Sequence, residues 1–509
     1  MKVTSRISMV AVVAAVGVTV AACGGGSSSS GGSADAPTTL HLSVQSPPSD
    51  FSIGNYSGGD ATMFLSVYDT LVHLGVDGTV KPGIAESWDY SDDRKTLTLH
   101  IRKGLTFSDG EPLDAAAVAA SLEVARKGSS TSQNLASVSQ VQATDDATVV
   151  VTLSQPDAAV IPSFTGSVGA IGATKELTAP DSKLWPVGSG PYTLDRTKST
   201  VGAKYTLVKN AKYWDAKSFP FKTVEVQVIA DQTAAQNAAL SGQVDYVGLQ
   251  SKDVLSQFPD SKFTTGTGKP NAVGALWLVD RTGKLVPALG DVRVRQAINL
   301  AIDRDTIAKQ LNPGTNHATN QIFSPIGDAY DKDLLSKDDY DVAKAKQLMA
   351  EAGYAGGFEV TMPSTVVSTT YEPVISQALG DIGIKVNWQS VPFQDFYSKV
   401  FGGNYAMFFM FNGFGGSDAQ DLKASLSGVF NPFRSTTPEL QQLLATANSA
   451  SESDQGAAYR KVNDYLVDQA WFAPISYVTG FYAVPKTISY TPPVVFGQSL
   501  QQFQPASSK

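Results

Sequence analysis

The chain has 509 residues, of which 42% are hydrophobic and 17% charged, and its formal net charge is -8 at pH 7. This length suggests two or three domains of ordinary size, and the composition is that of a globular protein. An acidic chain without a basic run argues against a nucleic acid partner, because binding phosphates needs clustered Lys and Arg.

The N-terminus has the pattern of an export signal. Lys2 and Arg6 precede an apolar run over residues 7–22. The run is too short for a comfortable membrane span, so we predict a signal peptide over residues 1–22. No later segment has about 18 consecutive apolar residues, and no further span is predicted.

The only cysteine follows this run directly, at the end of the sequence Val-Ala-Ala-Cys. This motif resembles the bacterial lipobox, in which the thiol is diacylated, whereas the alternative is an ordinary signal peptide with an incidental cysteine. We predict lipid attachment at Cys23 and a flexible Gly/Ser tether over residues 23–36. The predicted location is the extracytoplasmic face of a bacterial cell membrane.

Alternating apolar and polar residues predict strands in the first half of the chain, at residues 40–44, 97–101, 149–153 and 223–229. An Ala-rich stretch predicts a helix over residues 114–126, and another helix is expected over about 233–240. Farther along, Asp291 and Asp341 are candidate N-caps of amphipathic helices, the second of which should end at Gly353.

Strands and helices then alternate regularly, with strands predicted at 358–362, 384–391 and 405–411 and helices at 371–382 and 393–401. Such alternation predicts βαβ crossovers and a largely parallel sheet. The third strand is apolar on both faces, which is typical of a central parallel strand.

A Gly-rich loop follows that third strand and contains Asn412, Phe414, Gly415 and Asp418. Open α/β sheets bind ligands beyond the carboxyl ends of their strands, so these residues are candidate ligand contacts. The alternative is a flexible connector in which the glycines only form turns.

The sequence offers no catalytic constellation. None of the four histidines has a metal-ligand spacing, and no nucleophile elbow or phosphate-binding loop is present. We therefore predict no catalytic residue, no metal and no cofactor, which argues against the competing class of secreted hydrolases.

Several motifs occur in the order found in one transport family. They are Pro82-Gly-Ile-Ala-Glu-Ser-Trp88, Ile101-Arg-Lys-Gly-Leu-Thr-Phe-Ser-Asp-Gly110, Pro186-Val-Gly-Ser-Gly-Pro-Tyr192, Asn210 to Trp214, and Val292-Arg-Val-Arg-Gln-Ala-Ile298 with Ala301-Ile-Asp-Arg304. From Leu40 to about Tyr490 the chain resembles the extracellular solute-binding proteins of family 5, the oligopeptide, dipeptide and nickel class.

The resemblance implies an α/β fold with two lobes of the periplasmic-binding-protein (Venus flytrap) type and an extra inserted α+β domain. Ligand would be held between the lobes. The implied bounds are 37–75, 187–278 and 490–509 for lobe one, 76–186 for the inserted domain and 279–489 for lobe two.

The implied function is a non-enzymatic, monomeric receptor that delivers a small solute to the permease subunits of an ABC importer. Besides the loop residues above, the predicted ligand-binding set contains Asn55, Tyr56 and Trp277. A peptide is the first choice of ligand, and an oligosaccharide or glycoside is the alternative.

One position departs from the family pattern. Peptide binders of the family carry an aspartate in this loop that pairs with the peptide's α-ammonium group, and the resemblance puts Gly415 at that position. Either Asp418 or Asp421 takes over the role, or the ligand lacks a free amino terminus.

Overall fold

The computed structural model describes residues 38–58, 61–249, 251–311, 317–337, 339–495 and 499–506. The predicted signal peptide, Cys23 and the tether lie outside these ranges. Within them, no helix is long and apolar enough to cross a membrane.

The first mixed sheet (sheet A) contains the first predicted strand. Its strands, in spatial order, are Thr39–Val44, Thr223–Val228, Lys204–Lys209 and Tyr192–Leu194. The first two strands are parallel and the other pairs antiparallel. Alternate side chains of Thr39–Val44 are buried, so the predicted period of two is confirmed.

A second sheet (sheet B) is antiparallel and lies within the predicted inserted domain. Its strands, in spatial order, are Val138–Asp145, Thr148–Leu153, Thr96–Ile101 and Ala85–Tyr90. The helix Ala115–Lys127 packs on it and begins at Asp114, whose side chain accepts a hydrogen bond from the Ala117 N–H at 2.9 Å. One hydrophobic core continues through sheets A and B, so the two sheets form one body.

A third sheet (sheet C) is antiparallel and joins this body through aromatic contacts. Its strands, in spatial order, are Val247–Leu249, Phe481–Pro485 and Phe263–Thr267. Tyr490 contacts both Tyr246 and Tyr482, with ring centroids 4.9 Å apart in each pair.

The chain passes twice between sheet C and the second body of the protein. The crossings are residues 268–271 and 479–480, which are held together by a hydrogen bond of 2.8 Å from the Gly268 N–H to the Gly480 carbonyl. Both crossings lie earlier in the chain than the predicted boundaries at 278 and 489. The domain bounds themselves stay a prediction.

The second body is built around a four-stranded sheet (sheet D). Its strands, in spatial order, are His317–Ala318, Ala473–Val478, Ala272–Trp277 and Phe408–Gly413. The strand predicted at residues 405–411 corresponds to Phe408–Gly413, and the expectation that it is a central strand of a largely parallel sheet is wrong, because every pairing of sheet D is antiparallel. The strand pairs with Ala272–Trp277 in antiparallel register.

The apolar composition of that strand has another cause. Phe409 packs into one hydrophobic core of the second body, while Phe408 and Met410 pack into another on the opposite face. The strand is therefore buried on both faces without being parallel. Its partner comes from a distant segment, which a local strand–helix alternation does not reveal.

Parallel pairing does occur between Phe358–Ser364 and Ile384–Ser390, as predicted. The predicted caps are also confirmed, since Asp291 and Asp341 accept hydrogen bonds from the backbone of the helices they precede. Gly353 follows the second of these helices with a φ of +87°, a conformation that glycine adopts without strain.

The α-helices of the described chain are Ala61–Val67, Ala115–Lys127, Val160–Ser163, Gln232–Leu240, Val292–Ala301, Arg304–Leu311, Val342–Glu351, Glu372–Gly380, Phe393–Phe401, Asp418–Ser425, Pro438–Ser449 and Glu452–Asp468. Short two-stranded pairs complete the sheets: Pro48–Asp50 with Ser57–Gly58, Asp69–Thr70 with Ala170–Ile171, Val72–Leu74 with Val80–Pro82, Leu105–Thr106 with Pro112–Leu113, and Ile488–Tyr490 with Phe503–Pro505.

Candidate functional site

Three neighbouring cavities form a row along the junction of the two bodies. Cavity 1 has a volume of about 290 Å³, cavity 2 about 800 Å³ and cavity 3 about 320 Å³. Tyr56 and Pro493 line both cavities 1 and 2, and Phe414 and Val495 line both cavities 1 and 3. Cavities 1 and 3 have walls from both bodies, whereas cavity 2 is lined by the first body, sheet C and the crossing segments. A cleft at the junction of two bodies is a usual setting for a ligand site.

Cavity 2 lies beside the crossing segments. Tyr246, Tyr482 and Tyr490 contribute aromatic surface, and Lys269 comes from the first crossing segment. No aspartate or glutamate is among the described residues that line this cavity. Lys269 therefore gives the described wall of cavity 2 a positive charge.

Cavity 3 has the opposite character. Carboxylates line it from several segments, and within the described part of its wall no lysine or arginine accompanies them. The carboxylates belong to Asp77, Asp328, Asp418, Asp421 and Glu452. A cationic group of a ligand would be favoured here over an anionic one.

The glycine-rich loop creates the position of two of these carboxylates. Gly416 has a φ of +102°, and Ser417 then caps the helix Asp418–Ser425 by accepting a hydrogen bond of 3.2 Å from the Gln420 N–H. As a result, the first turn of this helix lies against the loop that precedes it. Asp421 accepts a hydrogen bond of 2.5 Å from the Gly415 N–H.

Burial changes the acidity of both carboxylates. Burial and, to a smaller extent, the neighbouring charge of Asp418 raise the pKa of Asp421 to about 8, against the lowering effect of the Gly415 N–H. Burial also raises the pKa of Asp418 to about 6. Asp418 Oδ2 accepts a hydrogen bond of 2.9 Å from the Ala329 N–H, while its buried Oδ1 has no partner among the described residues.

The structure brings together some of the sequence-predicted ligand residues. Tyr56 and Gly415 line cavity 1, Asp418 lines cavity 3, and Phe414 lines both. Phe414 is only 2% exposed and packs edge-on against Tyr477. It is a wall between two cavities rather than an open stacking platform.

The other predicted residues lie elsewhere. Trp277 is fully buried, donates a hydrogen bond of 3.0 Å to the Met410 carbonyl and lines none of the three cavities. Asn55 is exposed and accepts hydrogen bonds from Ser129, and Asn412 donates one of 3.1 Å to Ser425. In this structure these three side chains support the framework around the cleft.

Sequence reasoning missed an Asp-centred cluster on the wall of cavity 1. Asp69 is 3% exposed and accepts hydrogen bonds from His73 at 2.6 Å, from Trp214 at 2.8 Å and from the Tyr213 hydroxyl at 3.3 Å. Burial lowers the pKa of His73, but the hydrogen bond and the charge of Asp69 outweigh it and the pKa is raised. The i, i+4 spacing of Asp69 and His73 was the only local signal.

A polar contact joins the two bodies beside the cleft. Lys423, in the helix that begins at Asp418, donates hydrogen bonds to Asp157 at 2.6 Å and to the Asn134 carbonyl at 2.7 Å. Asp157 also accepts a hydrogen bond of 2.6 Å from Ser137. The Lys423–Asp157 pair is mostly buried, with 24% and 10% of the side chains exposed.

The described residues contain no group of three or more His, Cys, Asp or Glu side chains that could hold a metal ion. The carboxylates of cavity 3 are too dispersed for such a group, and none of the candidate loop residues is a histidine.

Comparison with known proteins gives these features a context. The family model of the bacterial extracellular solute-binding proteins, family 5 Middle, matches residues 79–432. The chain is 26% identical over 376 residues, or 69% of each chain, to the probable peptide ABC transporter periplasmic-binding protein y4tO of Sinorhizobium fredii. It is 28% identical over 331 residues to the glutathione-binding protein GsiB of Escherichia coli, and this match covers 63% of each chain, less than two thirds of that protein.

Solved structures share the fold. DppA from Helicobacter pylori, in complex with the peptide STSA, has a TM-score of 0.79 at 21% identity and covers 93% of this chain and 99% of its own. AgaA from A. tumefaciens R10, in complex with agropinic acid, has a TM-score of 0.78 at 24% identity, with 92% and 99% covered. The predicted two-lobe α/β fold is confirmed, and the chain belongs to the bacterial extracellular solute-binding proteins of family 5.

Proposed function

We propose that this protein captures a peptide in the cleft between its two lobes and delivers it to the permease of an ABC importer. The observation that carries the proposal is the row of three neighbouring cavities, of which cavities 1 and 3 have walls from both bodies. The names of the peptide transporter and glutathione-binding relatives support a peptide ligand, as does the peptide bound to DppA.

Closure of the lobes would bury the ligand. The crossings at 268–271 and 479–480 are the short connections about which the bodies would rotate. The Lys423–Asp157 contact would form on closure and stabilise the closed state. Since a ligand shifts an equilibrium only by its difference in affinity for the two states, this contact would raise ligand affinity by lowering the free energy of closure.

The carboxylates of Asp418 and Asp421 would bind the amino terminus of the peptide. Asp421 contacts the backbone of Gly415, so its carboxylate lies beside the position at which the family's aspartate is missing. Asp418 adds a second carboxylate, whose Oδ1 has no partner among the described residues. An incoming ammonium group would favour the ionised form of both and lower their pKa.

Calorimetric titration with free and N-acetylated forms of the same tripeptides tests this assignment at pH 7. We expect acetylation to weaken binding by about 2–5 kcal/mol, the usual cost of losing one partner of a buried charge pair. Asp418→Asn and Asp421→Asn should each reduce the difference between the two forms, whereas Asp333→Asn, an exposed position of the same body, should leave it unchanged.

The outcomes separate the alternatives. Equal affinity for both forms would mean that the cleft does not recognise a free amino terminus. Binding of a β-linked disaccharide but of no peptide would replace the peptide assignment by the oligosaccharide alternative. Recovery of a cleaved peptide after incubation would contradict the proposed role as a non-enzymatic receptor.

Lipid anchoring through Cys23 is part of the same proposal, and a monomer is the expected state. Cys23→Ser should release the protein from the membrane fraction or leave the signal peptide uncleaved. Wild-type protein recovered entirely without a lipid on Cys23 would contradict the anchor and leave the binding assignment intact.

A further inference from the structure

Cavity 1 differs from its neighbours in the chemistry of its wall. Aromatic rings approach it from both bodies, and they belong to Tyr56, Phe64, Tyr68, Tyr213, Phe219 and Phe414. Leu65 and Leu74 add aliphatic surface. Such a wall favours a group that gains from leaving water and from contact with aromatic rings.

The charges at cavity 1 are already matched within the protein. Asp69 and His73 are the residues with acidic or basic side chains in its described wall, and they are joined by a hydrogen bond of 2.6 Å. Tyr213 and Trp214 donate further hydrogen bonds to Asp69. A charged ligand group would therefore lose its hydration here without finding a free counter-charge in that wall.

Two amide side chains at cavity 1 have carbonyl oxygens without a hydrogen-bond partner in the described chain. Gln420 reaches cavity 1 from the helix Asp418–Ser425, and Gln502 reaches it from the C-terminal segment. Gln502 is 5% exposed, and the Oε1 atoms of both residues are buried without a hydrogen-bond partner in the described chain. A buried carbonyl oxygen without a partner is unfavourable, so a donor from the ligand would be stabilising.

We propose that cavity 1 is a specificity subsite for an uncharged aromatic side chain that carries one hydrogen-bond donor, as an indole or a phenol does. The rings would surround the apolar part, and Gln420 or Gln502 would accept its N–H or O–H group. This inference rests on the proposed capture of a peptide. Closure of the lobes completes the subsite, because Gln420 and Phe414 belong to the second body, whereas the other five rings belong to the first body and form the wall before closure.

Calorimetry with three series of tripeptides tests the preference. The series are X-Gly-Gly, Gly-X-Gly and Gly-Gly-X, with Trp, Tyr, Leu, Lys, Asp or Gly at X. In one series we expect Trp or Tyr to bind at least tenfold more tightly than Lys and Asp, and more tightly than Leu. Tight binding of several tripeptides with no such preference in any series would overturn the inference and leave the proposed function standing.

Substitutions at the cavities test whether the preference for Trp or Tyr arises at cavity 1. At least one of Gln420→Leu and Gln502→Leu should reduce the ratio of Trp to Leu affinity several-fold while Leu peptides still bind. Gln455→Leu is the matched control, because Gln455 lines cavity 3 and its Nε2 atom is also buried without a partner in the described chain. It should leave the ratio unchanged. An effect of Gln455→Leu as large as that of either cavity 1 variant would contradict the assignment to cavity 1, as would the absence of an effect in all three.

A probe that is not a peptide tests the cavity when no tripeptide binds. Fluorine NMR of 5-fluoroindole should show broadening with the wild-type protein and much less with Leu65→Trp, which fills cavity 1 from its own wall. Circular dichroism would verify that this variant is folded. Equal broadening with both proteins, or none with either, would overturn the subsite, whereas failure of the peptide titrations alone would count against the proposed function.

Discussion

Asp69 and Asp421 lie on opposite sides of the cleft and are each 3% exposed, yet their surroundings differ. Asp69 accepts hydrogen bonds from three side chains, one of which is a histidine whose pKa is raised. Asp421 accepts one from the Gly415 N–H and has Asp418 as a neighbouring carboxylate. At equal burial, the ionised carboxylate of Asp421 therefore has a less favourable free energy than that of Asp69, because fewer hydrogen-bond donors replace the water that it has lost.

The difference suggests distinct roles for the two lobes. A buried carboxylate whose hydrogen bonds are satisfied contributes to the framework. The Asp69 cluster does so by connecting separate segments of the first body beside cavity 1. A buried carboxylate with few donors retains capacity for a ligand or a proton, as perturbed groups in clefts often do. The first body would then supply a preformed wall, and the second the groups that respond to ligand.

The largest expected effect is that of Asp69→Ala on stability. The substitution leaves His73 and the indole N–H of Trp214 buried without their acceptor, so we expect a loss of about 3–5 kcal/mol in urea unfolding. Asp89→Ala is the control, because that carboxylate pairs with a histidine but is 77% exposed. Similar unfolding of the two variants would remove the distinction in role.

Asp421→Asn should increase the stability of the folded protein, whereas Asp69→Ala should decrease it. A folded-state pKa of about 8, above the ordinary value of 3.8, means that the folded protein holds a proton that the unfolded chain releases between these values. The contribution of Asp421 to stability should therefore be lost as pH rises from about 4 to 8, and the asparagine variant should be more stable than the wild type by about 1–3 kcal/mol at pH 8. Equal pH slopes for both proteins in urea unfolding would show that Asp421 is not perturbed.

Lys423→Met should act on closure more than on folding. We expect about tenfold weaker binding of the tightest tripeptide, or about 1.4 kcal/mol, and a larger radius of gyration in X-ray scattering without ligand. Lys385→Met is matched to it, since that ion pair with Glu359 is exposed and lies within the second body. Unchanged affinity and radius for Lys423→Met would exclude the contact from closure.

Local sequence patterns predicted the elements that are stabilised locally. Alternation identified Thr39–Val44, and the capping residues Asp291 and Asp341 marked two helix starts. These features depend on a few neighbouring residues, whose side chains and backbone interact within one turn or one strand. The family motifs added the two-lobe arrangement, which no local pattern specifies.

The sequence was less informative where distant segments meet. The partner of Phe408–Gly413 is Ala272–Trp277, so the antiparallel pairing could not be read from the neighbouring helices. Cavity 1 likewise combines Asp69, Gln420 and Gln502, which are far apart in the chain. Glycines in the loop suggested a site, but which polar side chains face it depends on tertiary packing.

His73 allows a finer test of the comparison, with the smallest expected effect. Its raised pKa means that the contribution of His73 to stability is fully present below the unfolded value of 6.5 and is lost as pH rises through the folded-state pKa. Asp421 titrates in an overlapping range, so the measurement is best made in the Asp421→Asn background. There, His73→Gln should make the decline of stability above pH 6.5 shallower in urea unfolding, while His100→Gln, at an exposed pair, should not. An unchanged slope in both variants would mean that the Asp69 cluster gains nothing from a charged histidine, and the two carboxylates would then differ only in the number of neutral donors that they accept.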